Sequence, residues 1–121
     1  MAKILLVDDD QSALDVLRHG LVADGHDVIA ATGGTEAQAA LAGNASDVDL
    51  LITDVSMPDV DGVTLAEGAL AARPGLAVIV MSGLAGELSR AEKLKSARVR
   101  FVSKPLSLEQ IRVEVRQVLG S

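Results

Sequence analysis

The chain contains no cysteine, no tryptophan and no tyrosine, and its single aromatic residue is Phe101. Without cysteine there is no disulfide, no thiolate nucleophile and no Cys-ligated zinc, and the composition is compatible with a reducing compartment. Flavins and stacked bases are usually held by aromatic faces, so a lone Phe argues against flat aromatic ligands. A basic run is also lacking. The 11 Lys and Arg stand against 17 Asp and Glu, a formal net charge of −6, which opposes binding to the phosphate backbone of nucleic acid. No apolar stretch approaches the roughly 20 residues of a membrane helix, and Met1-Ala2-Lys3 leads straight into an apolar run with no signal-peptide core. These absences predict a cytoplasmic protein that engages neither membrane nor nucleic acid.

What remains is aliphatic. Hydrophobic residues make up 49% of 121, enough for one domain over residues 1–121 that buries roughly two-thirds of its unfolded surface. Short aliphatic runs alternate with segments of helical periodicity, the sequence form of repeated βα units. Five units fit. Strands are predicted at Lys3 to Val7, Asp27 to Ala31, Asp49 to Thr53, Leu76 to Met81 and Val99 to Val102. The first helix runs from Gln11 to Asp24 with Ala13, Leu14, Leu17, Leu21 and Val22 on its apolar face, and Gly25 ends it. Gly33-Gly34 forms a turn and Thr35 caps a second helix that ends near Gly43. A long loop through Gly62 precedes a helix from Val63 to Ala72, stopped by Arg73-Pro74-Gly75. The polar segment Gly83 to Ala97 holds a short helix, and Ser107 caps a last one through Leu119, with Glu109 in its first turn.

Chemistry concentrates where strands end. Asp8-Asp9-Asp10 closes the first run, Asp54 the third, Ser82 the fourth and Lys104 the fifth. In an open parallel sheet those ends line one crevice. Converging carboxylates repel, and a hard cation such as Mg²⁺ relieves the repulsion. A lone Asp after a strand is better read as a helix cap. Three in succession exceed what a cap uses, and Asp10 is the one left to cap. Taken singly, Asp54 and Ser82 are turn residues and Lys104 a surface lysine. Together, a carboxylate, a hydroxyl, an amine and a cation site are the parts of a phosphoryl site. His19 falls on the polar side of the first helix and His26 in the turn after it, both read as solvated surface residues.

Val7-Asp8-Asp9, Asp54-Val55-Ser56-Met57-Pro58 with Asp61-Gly62, Met81-Ser82-Gly83 and Phe101-Val102-Ser103-Lys104-Pro105 stand in this order along nearly the whole chain. In this the chain resembles the receiver domains of two-component response regulators. The resemblance implies a flavodoxin-like fold, a doubly wound five-stranded parallel sheet of order 2-1-3-4-5 with five helices. It implies that Asp54 accepts a phosphoryl group, that Asp9 binds Mg²⁺ directly and Asp8 through water, and that the Ser56 main-chain carbonyl adds a ligand. Ser82 and Lys104 would contact the phosphoryl group, and Phe101 would swing inward behind Ser82 as a switch. A cis peptide would join Lys104 to Pro105. Ala97-Arg98 stands where receivers often carry Gly-Ala, a departure that concerns a partner surface.

The resemblance further implies a histidine kinase or histidine phosphotransfer protein as donor. It also implies a monomer acting on a protein target in trans, since only Gly120-Ser121 follow the last helix. The C-terminal receiver of a hybrid histidine kinase would look much the same. Met1 directly before the first strand favours a stand-alone protein. An enzyme reading also exists: a small Mg²⁺-dependent phosphatase of haloacid dehalogenase type, with Asp8 and Asp10 as its Asp-x-Asp. It leaves Asp54 and Met57-Pro58 unexplained. A vestigial interaction module is the third reading, and the complete set of site residues counts against it.

Overall fold

The computed structural model describes residues 2–83, 94, 98–104 and 107–120. The elements are β1 (Lys3–Val7), α1 (Gln11–Ala23), β2 (Asp27–Ala31), α2 (Gly34–Ala42), β3 (Leu50–Asp54), α3 (Gly62–Ala72), β4 (Ala77–Ser82), β5 (Val99–Ser103) and α4 (Leu108–Leu119). The strands form one parallel sheet ordered β2-β1-β3-β4-β5, the flavodoxin-like order implied by the motifs. The short helix expected between Gly83 and Ala97 and the Lys104–Pro105 peptide lie outside the described residues.

Side chains of a strand alternate between faces, and here both faces are covered. Leu5, Val7, Leu51, Val78 and Val80 join residues of α2 and α3 in one apolar cluster. Ile4, Leu6, Leu50, Ile52, Ile79 and Met81 join α1 and α4 in another. β1, β3 and β4 are accordingly apolar at nearly every position, the signature of strands buried on two sides. Each fully buried Leu, Ile or Val contributes about 1.5–3 kcal/mol, so these three strands anchor the domain.

Helix ends follow local chemistry. Asp10 caps α1, accepting from Ser12 N at 3.0 Å and Ala13 N at 3.3 Å. Gly25, at φ 94°, lets the chain leave α1 in a conformation that suits glycine. Ser107 and Gln110 form a reciprocal capping box on α4.

Several boundaries differ from expectation. Thr35 is not the cap of α2: the helix starts at Gly34, Gly33 is the cap position, and Asp59 supplies the accepting oxygens from another loop. β3, β4 and β5 each run one residue further than predicted, so Asp54 and Ser82 are the last residues of their strands. Ladder pairing of Asp54 with Met81 and of Ser82 with Ser103 extends them. Val22 is 50% exposed, because Gly20 takes the buried place beside Leu21 and leaves room for Leu108 of α4.

Gly62 and Gly68 make opposite demands. A Cβ at Gly62 would stand 2.0 Å from the Asp54 carbonyl oxygen, whereas one at Gly68 would meet nothing within 4 Å. Urea unfolding followed by circular dichroism should show Gly62→Ala destabilised by about 2 kcal/mol or more through overpacking. Gly68→Ala should be stabilised by about 0.5–1 kcal/mol, because a mid-helix glycine is being replaced. Equal effects at both positions would contradict the packing described here.

Candidate functional site

The order β2-β1-β3 reverses direction at β1, and the crevice of such a sheet opens beyond the carboxyl ends of the strands on either side of that point. Val7 pairs with Thr53, which sets Asp8 beside Asp54. Asp8 is wholly buried and Asp54 nearly so, while Asp9 faces solvent. One carboxylate oxygen from each of Asp8, Asp9 and Asp54 lies within 4.8 Å of the others. Asp10, already committed to α1, stands outside this trio, and its backbone N–H donates to Asp8 Oδ1 at 2.9 Å.

Lys104 supplies the opposing charge. Its backbone N–H donates to the Ser82 carbonyl at 2.8 Å, which fixes the start of the side chain at the end of β4. Its Nζ then reaches Asp8 Oδ2 at 3.2 Å and Asp54 Oδ2 at 3.1 Å. Burial alone would lower the lysine's pKa, but hydrogen bonds and attraction from Asp54 and Asp8 outweigh it and raise the pKa. Asp54 does not mirror this. Burial pushes its carboxyl up, Lys104 pulls it down, and the charges of Asp8 and Asp9 push it up again, for a net rise. One ammonium does not neutralise three acids. An all-oxygen donor set with surplus negative charge fits a hard divalent cation such as Mg²⁺.

Ser82 is buried at the adjacent strand end. Ser56 is exposed on the loop after β3. Phe101 pairs with Val80 and is 38% exposed, so the only aromatic lies outside the core. His19 is exposed as expected. His26 is not a free surface residue: it is half-buried, and its Nδ1 accepts from Ala2 N at 3.1 Å. That bond ties the start of the chain to the turn before β2. An open cavity of about 990 Å³ lined by His26, Asp49, Arg73, Arg98 and Arg116 lies at the amino ends of the strands, away from Asp8, Asp9 and Asp54.

Sequence reasoning overlooked two supports of the site. Thr53 Oγ1 donates to the Asp54 carbonyl at 2.9 Å, and Gly62 N donates to the Val55 carbonyl at 2.9 Å, folding the loop back on the strand end. Glycine at 62 was the available signal, since no side chain fits against the Asp54 carbonyl.

A doubly wound five-stranded sheet with an acid trio and a lysine at its switch point defines a class of phosphoryl-responsive domain. The pattern of the response regulator receiver domain matches residues 4–116, and the chain belongs to that family. It is 32% identical over 122 residues to the sensor kinase CckA of Brucella abortus (strain 2308), covering 98% of this chain and 12% of the kinase. The crystal structure of the receiver domain from the hybrid histidine kinase CckA is 32% identical, with a TM-score of 0.81, covering 97% of this chain and 98% of that one. The response regulator TrrA of Thermotoga maritima, solved in complex with Mg²⁺ and BeF, is 24% identical with a TM-score of 0.83, covering 98% of this chain and all of that one. The chain spans half or less of the length of the curated relatives it matches. No helix among the described residues is long and apolar enough to cross a membrane.

The raised pKa of Asp54 has a stability consequence. A carboxyl whose pKa is higher folded than unfolded favours the fold below the ordinary carboxylate range, and that contribution is lost as pH rises through the raised value. Lys104 keeps Asp8 as a partner when Asp54 is neutralised. Asp54→Asn should therefore melt several degrees above the parent at neutral pH without added cation, with the gap closing toward about pH 3. A melting temperature at neutral pH equal to or below the parent's would refute this.

Proposed function

We propose that the chain is a phosphoacceptor receiver of a two-component or phosphorelay pathway, with Asp54 as acceptor. The observation that carries this is the single ammonium of Lys104 held between Asp8 and Asp54 at 3.2 and 3.1 Å. In the reaction an Asp54 carboxylate oxygen attacks phosphorus in line. The P–N bond of a donor phosphohistidine breaks, and its electron pair returns to the imidazole of a histidine kinase or phosphotransfer protein. The Lys104 ammonium pairs with the charge that arrives on Asp54, and the Ser82 hydroxyl contacts a phosphoryl oxygen. Asp9, Asp54 and the Ser56 carbonyl would hold Mg²⁺, with Asp8 acting through water. The cation supplies neutralisation of the phosphoryl oxygens when bound. The phosphatase reading loses its second acid, because Asp10 is engaged as the cap of α1.

Similarity to the CckA receiver supports two settings for the same chemistry: a stand-alone protein, or a receiver at the C-terminus of a hybrid kinase. In either, a protein target reads the phosphorylated surface, and a cytoplasmic monomer suffices for the chemistry.

Incubation with acetyl phosphate and Mg²⁺ should add one phosphoryl group, read by intact mass. Asp54→Asn should abolish it, and Asp8→Asn should only weaken it. Label kept in Asp54→Asn and lost in Asp8→Asn would move the nucleophile to Asp8. Undiminished phosphorylation in excess chelator would remove the cation from the reaction.

Switching is tested separately. Ser82 ends β4 beside β5, and Phe101 occupies β5 with its ring accessible. A phosphoryl group shifts an equilibrium only through its differential contacts with two states. Ser82→Ala should still be phosphorylated on Asp54 but show much smaller amide shifts in β5 when treated with beryllofluoride. Shifts as large as the parent's would place the switch elsewhere.

A further inference from the structure

The loop from β3 to α3 is held at both ends. Val55 N donates to the Met81 carbonyl at 3.0 Å, Gly62 N donates to the Val55 carbonyl, and Asp61 caps α3 by accepting from Thr64 N at 2.9 Å. Between these anchors Ser56, Pro58 and Asp59 are exposed and Met57 is half-buried. The exposed Asp59 is nevertheless fully committed: its Oδ1 accepts from Gly34 N at 3.1 Å and its Oδ2 from Thr35 N at 2.9 Å. Both donors are first-turn amides of α2, whose own cap position, Gly33, has no side chain to satisfy them.

The two surfaces are shaped to one another. A Cβ at Gly34 would stand 2.3 Å from the Val60 carbonyl oxygen, and one at Gly33 would stand 3.1 Å from Asp59 Oδ2. Both glycines are buried, so the glycine pair that reads as a simple turn is the seat of the loop. Hydrogen bonds, led by that from Thr35 N, hold the Asp59 carboxyl well below the usual carboxylate range. The bonds are therefore present across the whole neutral range.

We propose that Asp59 is a positioning residue for the acceptor site: by bridging to α2 it holds the backbone that carries the Ser56 carbonyl, and so sets the site's affinity for its divalent cation. This rests on the reading of the crevice as a cation-dependent acceptor site. A main-chain ligand is placed only as well as its backbone is held, and outer supports of metal ligands have large effects on affinity. Asp59 lies three residues beyond Ser56 and acts through the loop; it touches no reacting group.

A capping role alone would predict a loss of stability and nothing more. Three chains separate the two: the parent, Asp59→Ala, and Asp59→Ala combined with Gly33→Ser. The serine returns a cap to α2 from its own extended N-cap position, into space the carboxylate has vacated, without restoring the bridge. Mn²⁺ affinity is measured by electron paramagnetic resonance with no phosphoryl donor present, and melting by circular dichroism. Asp59→Ala should melt lower and bind Mn²⁺ about tenfold more weakly. The double variant should regain its melting temperature while its affinity stays weak, and saturating Mg²⁺ should return its phosphorylation rate to the parent's. Parent-like affinity in Asp59→Ala, or affinity that recovers together with the cap, overturns the proposal. Failure of the parent to be phosphorylated would instead overturn the acceptor reading, because the affinities are read without it.

Discussion

Three carboxylates and one ammonium at the rim of the sheet are the constraint around which the rest is arranged. Asp8, Asp9 and Asp54 repel one another, and burial together with that repulsion displaces the Asp54 carboxyl upward against the opposing pull of Lys104. A fold that accepts such an arrangement must be stabilised elsewhere. Here the compensation is the double-sided burial of β1, β3 and β4, whose side chains interlock with helices on both faces. The residual negative charge suits the crevice to a hard divalent cation.

Geometry follows from the backbone more than from side-chain reach. Parallel pairing of β1 with β3 brings Asp8 and Asp54 together, and the pairing of β4 with β5 presents Ser82 and the start of Lys104 at one level. Lys104 and Asp8 are 96 positions apart in the chain, yet the link between them needs only the strand order and the bond from Lys104 N to the Ser82 carbonyl. Close approach of Gly62 to the Asp54 carbonyl then lets the chain turn back at the end of β3.

Five strands and the convergence of Asp8, Asp9, Asp54 and Lys104 were readable because apolar runs ending in polar residues are a local pattern, whereas the strand order was implied by the resemblance to receiver domains. Less readable were features that depend on partners distant in sequence. Thr35 has the chemistry of a cap, but capping of α2 falls to Asp59, 24 residues on, and no local rule identifies it. Val22 continues an apolar stripe by spacing, yet the stripe turns toward Gly20 because α4 packs there through Leu108. His26 was read as a solvated surface residue because its partner is a backbone amide distant in sequence, that of Ala2. In each case the deciding contact spans elements.

The sheet also divides the interior into two compartments that share strands but no side chains. Ile4 and Leu6 face α1 and α4, and Leu5 and Val7 face α2 and α3. Substitutions that reshape one outer layer therefore need no compensating change in the other, provided the strand backbones hold. Two exterior surfaces can then diverge independently in the course of evolution while the rim chemistry stays constant. Such an architecture lets one reaction be wired to many different partners.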